Sequence, residues 1–100
     1  MTTDPLFHMS VQDVFSIRGR GTVVTGTIEA GGLHVGDEVV IHGPGGDKKT
    51  VVAGIEMSRK VLDQAGQGDA VGVLLRDINR DDVHRGDELR SPGSDFTWIP

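Results

Sequence analysis

The chain has no cysteine among its 100 residues. No disulfide staples it and no thiolate can ligate a metal, which fits a reducing compartment. Aromatics are nearly as scarce, with three Phe, one Trp and no Tyr. No apolar stretch reaches the ~18 residues of a membrane span. The opening Met-Thr-Thr-Asp-Pro has neither a basic segment nor an apolar core, so it is not a secretory signal, and a cytoplasmic location is expected. Positive charge is in deficit too, with ten Lys and Arg against 15 Asp and Glu, a formal net charge of −5. That balance argues against tight, unaided binding to a nucleic-acid backbone. A chain this short makes one domain with one core and leaves no room for a separate catalytic domain.

Glycine is abundant, at 15 residues, and with so few aromatics it suits a barrel with tight turns better than a helical bundle. Short apolar runs and period-2 alternation dominate, without a sustained 3.6 period. Residues 7–18 alternate loosely. Residues 21–29 are rich in β-branched side chains. Gly19 and Gly21 flank Arg20, so a hairpin is expected there, and Gly26 marks a bulge or a close backbone approach. Further strands are expected at 38–42, 48–57, 70–76 and 87–90, with a single helical turn within 79–86. The stretch Gly43-Pro-Gly-Gly-Asp47 reads as the longest flexible loop, and Val61 and Leu62 as a plug for the barrel. Strands at this spacing indicate an antiparallel barrel or sandwich. Phe96, Trp98 and Ile99 in the tail 94–100 are expected to pack back on it.

Charge is uneven along the chain. Residues 1–60 hold Arg18, Arg20, Lys48, Lys49, Arg59 and Lys60 against seven acids, whereas residues 61–100 hold four Arg against eight. A solvated mixed-sign surface is the plain reading. The sharper one is a small basic patch where the turns near Arg20, Lys48 and Arg59 meet, able to contact a few phosphates.

Familiar catalytic and cofactor patterns fail. Gly43-Pro-Gly-Gly-Asp-Lys-Lys-Thr50 lacks the glycine directly before its lysine and leads into a strand, so it is no P-loop. Gly19-x-Gly21 is followed by Val24 where a dinucleotide loop needs glycine. His8, His34, His42 and His84 lack metal-ligand spacing. No serine sits in a nucleophile elbow, and Asp81-Asp82 are turn neighbours. No cofactor, metal or enzymatic activity is expected.

The segments Asp13-Val-Phe-Ser-Ile17, Gly19-Arg-Gly-Thr-Val-Val-Thr-Gly26, Val35-Gly-Asp-Glu-Val39, Gly54-Ile-Glu-Met-x-Arg-Lys60, Gly68-Asp69 and Val71-Gly-Val-Leu-Leu-Arg76 recur in order and spacing in one family. The chain resembles domain 2 of elongation factor Tu-like translational GTPases over nearly its whole length. The resemblance implies an all-β fold, a six-stranded closed antiparallel Greek-key barrel over residues 1–93, with residues 94–100 as a tail. It implies a non-catalytic module that contacts the 3′ end of aminoacyl-tRNA and the ribosome, beside a GTP-binding domain in cis or in trans. Carried over residue by residue, Glu56 accepts from the terminal sugar or base with Arg59 just after it. Asp13 and Phe15 stand near the aminoacyl group, and Arg20 sits on the rim. Lys48, Lys49 and Lys60 are candidate phosphate contacts. Two positions depart from the family: Ala70 replaces an Asn and Ser58 a Phe. The departures keep open a protein-interaction barrel that has lost tRNA binding. The ending Phe96-Thr-Trp-Ile-Pro100 suggests a stand-alone gene rather than an excised domain of a larger GTPase.

Overall fold

The computed structural model describes residues 4–92. The expected tail contacts of Phe96, Trp98 and Ile99 lie outside the described residues. Among the described residues there are ten strands: β1 (His8–Ser10), β2 (Asp13–Ile17), β3 (Gly21–Ala30), β4 (Gly32–His34), β5 (Glu38–Gly43), β6 (Gly46–Met57), β7 (Lys60–Leu62), β8 (Gln64–Gly66), β9 (Ala70–Leu75) and β10 (Glu88–Arg90). One 3-10 turn, Arg80–Asp82, falls where a helical turn is expected.

Six strands close a barrel. The ladder runs β1-β10-β5-β6-β9-β3, and a β1–β3 pairing joins its ends. Every pairing is antiparallel. Strands β5, β6 and β9 are successive neighbours, and β10 returns beside β5, which is the Greek-key order. Strand β2 pairs with β3 and β7 with β6, as extensions of the wall, while β4 and β8 form a small separate ladder.

The periodicity of β3 shows how sequence makes this wall. Thr22, Val24, Gly26 and Ile28 are buried, and Gly21, Val23, Thr25 and Thr27 between them are partly exposed. Side chains alternate across a strand, so the first set faces the core. Val24 and Ile28 join Met9, Ile41, Val52, Ile55, Val73, Leu75 and Leu89 in one aliphatic cluster, with Phe7 as its aromatic member. Gly26 is a steric necessity: a Cβ there would lie 2.3 Å from the Ser10 carbonyl oxygen. The end of β1 presses against β3 at this point, so Gly26 marks a close approach. The irregularity of β3 lies elsewhere, where its register with β1 shifts between His8 and Met9.

Three turns share one build. In His34-Val-Gly-Asp37, Gly66-Gln-Gly-Asp69 and His84-Arg-Gly-Asp87 the carboxylate accepts the backbone N–H three residues earlier, at 2.8, 2.9 and 2.9 Å. The glycines have φ of 95°, 91° and 96°, the left-handed region that the third turn position requires.

Two expectations are corrected. Gly43–Asp47 is no flexible loop, because Gly43 pairs with Gly46 and only Pro44 and Gly45 form the turn. Proline fixes the first turn position and Gly46 adopts φ 105°, so a short hairpin suffices. Nor do Val61 and Leu62 plug the barrel together: Val61 is 79% exposed, and Leu62 alone packs against the core. They occupy opposite faces of β7, as neighbours in a strand must.

Candidate functional site

Register, rather than sequence proximity, assembles the outer face formed by β2, β3, β9, β6 and β7. Phe15 lies opposite Val23, Val23 opposite Leu74, and Leu74 opposite Gly54. In the next row Asp13 faces Thr25, Thr25 faces Gly72, Gly72 faces Glu56, and Glu56 faces Val61. Paired residues in antiparallel strands project to the same side. Three expected site residues, Asp13, Phe15 and Glu56, therefore come to one face of the barrel from two separate strands, and Arg20 reaches it from the turn after β2.

At its centre is a shallow depression walled by Val23, Ile55, Val61 and Leu74, with Arg20 and Glu56 on the rim and Gly54 and Gly72 in the floor. These two glycines differ from Gly26. A Cβ at Gly72 would come no nearer than 3.4 Å to Val23, and one at Gly54 no nearer than 3.7 Å to Leu74. Those are ordinary contacts, and neither residue has the left-handed φ of a turn glycine. Glycine within a strand costs about 0.5–1 kcal/mol relative to alanine. Gly54 lies at the register shift of β6 against β9, where strand glycines are common, whereas Gly72 lies in regular ladder; at both, the missing side chain leaves the hollow open.

Arg20 reaches the hollow from the β2–β3 turn, which Arg20 N–H closes onto the Ile17 carbonyl at 2.9 Å with Gly19 at φ 79°. Its guanidinium Nη1 lies 3.8 Å from Glu56 Oε2, with both side chains about half exposed. At that distance and exposure the pair holds the two groups loosely, contributing at most about 1 kcal/mol. Together they present a fork of donors beside a carboxylate acceptor over an apolar floor. Such a set suits a ring system whose edge carries hydroxyls and whose neighbour is a phosphate.

Arg59 sits in the β6–β7 turn, just past Glu56. Ser58 and Arg59 have φ of 50° and 68°. Two central residues at positive φ define the hairpin turn that normally carries Asn-Gly. Here neither residue is glycine, so the backbone is held in a conformation costing about 1–2 kcal/mol per residue. Lys60 follows at the start of β7, opposite Met57 and exposed.

The expected meeting of Arg20, Lys48 and Arg59 does not occur. Lys48 lies near the start of β6 and Arg59 just beyond its end. A strand rises ~3.3 Å per residue, which puts them on the order of 30 Å apart along the chain. Lys48 is instead bound at 2.8 Å to Asp82 Oδ1. This hydrogen bond, with another from the Asn79 N–H, holds the Asp82 carboxyl below the usual carboxylate range. Lys49 is opposite Val40 and borders a separate depression with Arg76 and Thr50. Asp13 is engaged as well, accepting from Arg85 Nη2 at 2.7 Å. Phe15 is 52% exposed and is therefore no core residue.

Sequence reasoning did not single out Val23, Leu74, Gly54 and Gly72 as site residues. Two glycines inside otherwise β-forming runs are their one sequence signal. Among the described residues no group of three or more His, Asp and Glu could hold a metal ion. No described helix is long and apolar enough to cross a membrane.

A family model described as elongation factor Tu domain 2 matches residues 21–89. The matched span begins at the first residue of β3 and ends within β10. It contains the floor of the hollow, Glu56 and Arg59.

Proposed function

Because the chain belongs to the elongation factor Tu domain 2 family, we propose that it is a non-catalytic binding module of translation-factor type that receives the 3′ end of an RNA on its β3–β9–β6 face. The module spans residues 1–93, with 94–100 as an appended tail. One observation carries the reading: a guanidinium and a carboxylate stand side by side on the rim of a hollow floored by two glycines, at each of which there is space for a side chain.

The chemistry follows from that arrangement. A terminal nucleoside lays its apolar face on Val23 and Leu74 over the glycine floor. Glu56 accepts a hydrogen bond from a ribose hydroxyl, which distinguishes RNA from DNA. Arg20 and Arg59 flank the hollow and take the adjoining phosphate; Lys60, which alternation turns to the other side of β7 from Val61, is left for a phosphate further along the chain. Asp13 and Phe15, at the far end of the same rows, lie where a group esterified to the terminal ribose would extend. A hydrogen bond to a charged group contributes roughly 1.5–3 kcal/mol. The loss of freedom on association costs roughly 4–15 kcal/mol. So few contacts make the isolated barrel a weak binder, and its affinity rises when a GTP-binding domain, in cis or in trans, or the ribosome holds the same RNA.

A second reading has its own observation. Ala70 is exposed opposite Thr27, next to the Asp13–Thr25–Gly72–Glu56 row, so the amide that the family places there is missing. On this reading the barrel binds protein alone. Fluorescence anisotropy with aminoacyl-tRNA and with a short CCA-ended RNA separates the two. Saturable binding weakened by salt and by Glu56→Gln supports the RNA reading. No binding at hundreds of micromolar, at low or high salt, eliminates it.

A further inference from the structure

Strand β9 leads from the floor of the hollow to a free cation. Val71, Val73 and Leu75 are buried, while Gly72 and Leu74 between them line the hollow. The same alternation puts exposed Arg76 on the outer face, two residues and ~7 Å beyond Leu74. The ladder of β9 with β6 ends where Leu75 faces Val52, yet the backbone of Arg76 is still pinned to β6. Its N–H donates to the Val51 carbonyl at 3.0 Å, and its carbonyl accepts from Thr50 Oγ1 at 2.6 Å. Thr50 is buried, so this hydroxyl is a fixed anchor.

The guanidinium, by contrast, is uncommitted. Arg20, Arg85 and Arg90 are held by Glu56, Asp13 and Glu88, whereas among the described residues no ion pair or hydrogen bond engages the Arg76 side chain. A free guanidinium on a fixed backbone offers its donor fork to one neighbourhood of the surface, and that fork matches two oxygens of a phosphate. Arg76 borders a depression with Lys49, Thr50 and Val51, and Glu38 and Asp77 stand on the same rim. Two cations against two carboxylates cancel, so the depression does not draw an anion from a distance. It suits a single phosphate brought in by a ligand already anchored nearby.

The hollow supplies that anchor, and the two ends of β9 decide the direction. Towards its start, β9 runs back through Ala70 into the Gly66-Gln-Gly-Asp69 turn, and residues 61–70 contain no Lys or Arg. Towards its end stand Arg76, Lys49 across the depression, and Arg20 reaching in from the β2–β3 turn.

We infer that an RNA strand leaves the hollow along β9 past Leu74, and that Arg76 binds the second phosphate from its 3′ end. The inference rests on the RNA reading above, in which Arg20 and Arg59 take the phosphate joined to the terminal nucleoside. It adds the exit path and a contact one nucleotide further along.

The test is fluorescence anisotropy at low salt with a short labelled CCA-ended RNA. A second RNA of the same sequence carries a neutral methylphosphonate at the second linkage from the 3′ end. Arg76→Gln should weaken binding of the unmodified RNA about fivefold and lower the magnitude of the salt slope of log K by about 0.7. Arg76→Lys should retain that slope. On the methylphosphonate RNA, Arg76→Gln should have no effect, because its partner charge is already gone. Thermal unfolding checks that the variants are folded. The proposal is overturned, with the RNA reading intact, if Glu56→Gln weakens binding and Arg76→Gln does not. It is also overturned if Arg76→Gln weakens both RNAs equally. If the parent chain binds neither RNA, the reading and the proposal fall together.

Discussion

Replacing Arg59 with glycine should raise stability and lower RNA affinity together. Arg59 is held at φ 68° in the two-residue turn between β6 and β7, and its side chain is exposed. An L-residue in this region is disfavoured by about 1–2 kcal/mol, a penalty that glycine does not suffer. Glycine loses more chain freedom on folding, which offsets about 0.5–1 kcal/mol of the gain. The net stabilisation is therefore roughly 0.5–1 kcal/mol. For a chain of this size 1 kcal/mol shifts Tm by roughly 4–8 °C, so a rise of about 2–8 °C is expected in thermal unfolding followed by circular dichroism. Binding should move the other way. Loss of one phosphate contact to single-stranded RNA lowers the magnitude of the salt slope of log K by about 0.7. Arg59→Ala separates the two effects: it removes the cation but keeps the backbone strain, so Tm should stay near that of the parent while the salt slope drops as in the glycine variant. A fall in Tm for Arg59→Gly would refute the argument that this turn stores strain. A rise in Tm with an unchanged salt slope would refute Arg59 as a phosphate contact.

Gly72→Val should fill the hollow while leaving the barrel folded; urea unfolding then stays two-state while affinity for CCA-ended RNA drops at least about tenfold, corresponding to roughly 1.4 kcal/mol. Gly26→Ala makes the contrast, because its Cβ would collide with the Ser10 carbonyl, and loss of the folded signal at room temperature is expected. Stability should decline in acid through Glu88. Hydrogen bonds from Arg90 and then His8 hold its carboxyl below the usual 4.5, so its contribution is complete above that value and is lost as pH falls through the lower folded-state value. Urea midpoints measured from neutral to acid pH should fall less steeply in Glu88→Gln than in the parent. Asp87→Ala removes the acceptor for the His84 N–H, and a loss of about 1 kcal/mol is expected from urea unfolding, in line with a lost cap.

Legibility followed the range of the interaction. The β3 alternation, the Gly-Asp turns, the helical turn in 79–86 and the order of the strands could be read along the chain, because each depends on a residue's own φ preference or on neighbours two to four positions away. The Gly43–Asp47 hairpin was misread, since composition alone suggested a loop while cross-strand pairing carried the ladder through to Gly43 and Gly46. The candidate residues Glu56, Arg20, Asp13 and Phe15 come from the resemblance; the register puts Asp13, Phe15 and Glu56 on one face, and the β2–β3 turn carries Arg20 to Glu56.

By itself the sequence determined an all-β chain, an antiparallel barrel or sandwich, because alternation and turn chemistry are local; the Greek-key barrel and the family came through resemblance. The tertiary structure alone decided which residues share a surface. Closing the barrel fixes which residues of β3, β9 and β6 stand opposite one another, and so turns Gly54 and Gly72 into a hollow. It sends Lys48 to Asp82, far from Arg20. It also brings Arg85 of the 77–85 segment onto Asp13 of β2, 72 positions away in the chain. Each of these depends on register between strands far apart in the chain, which no local pattern encodes.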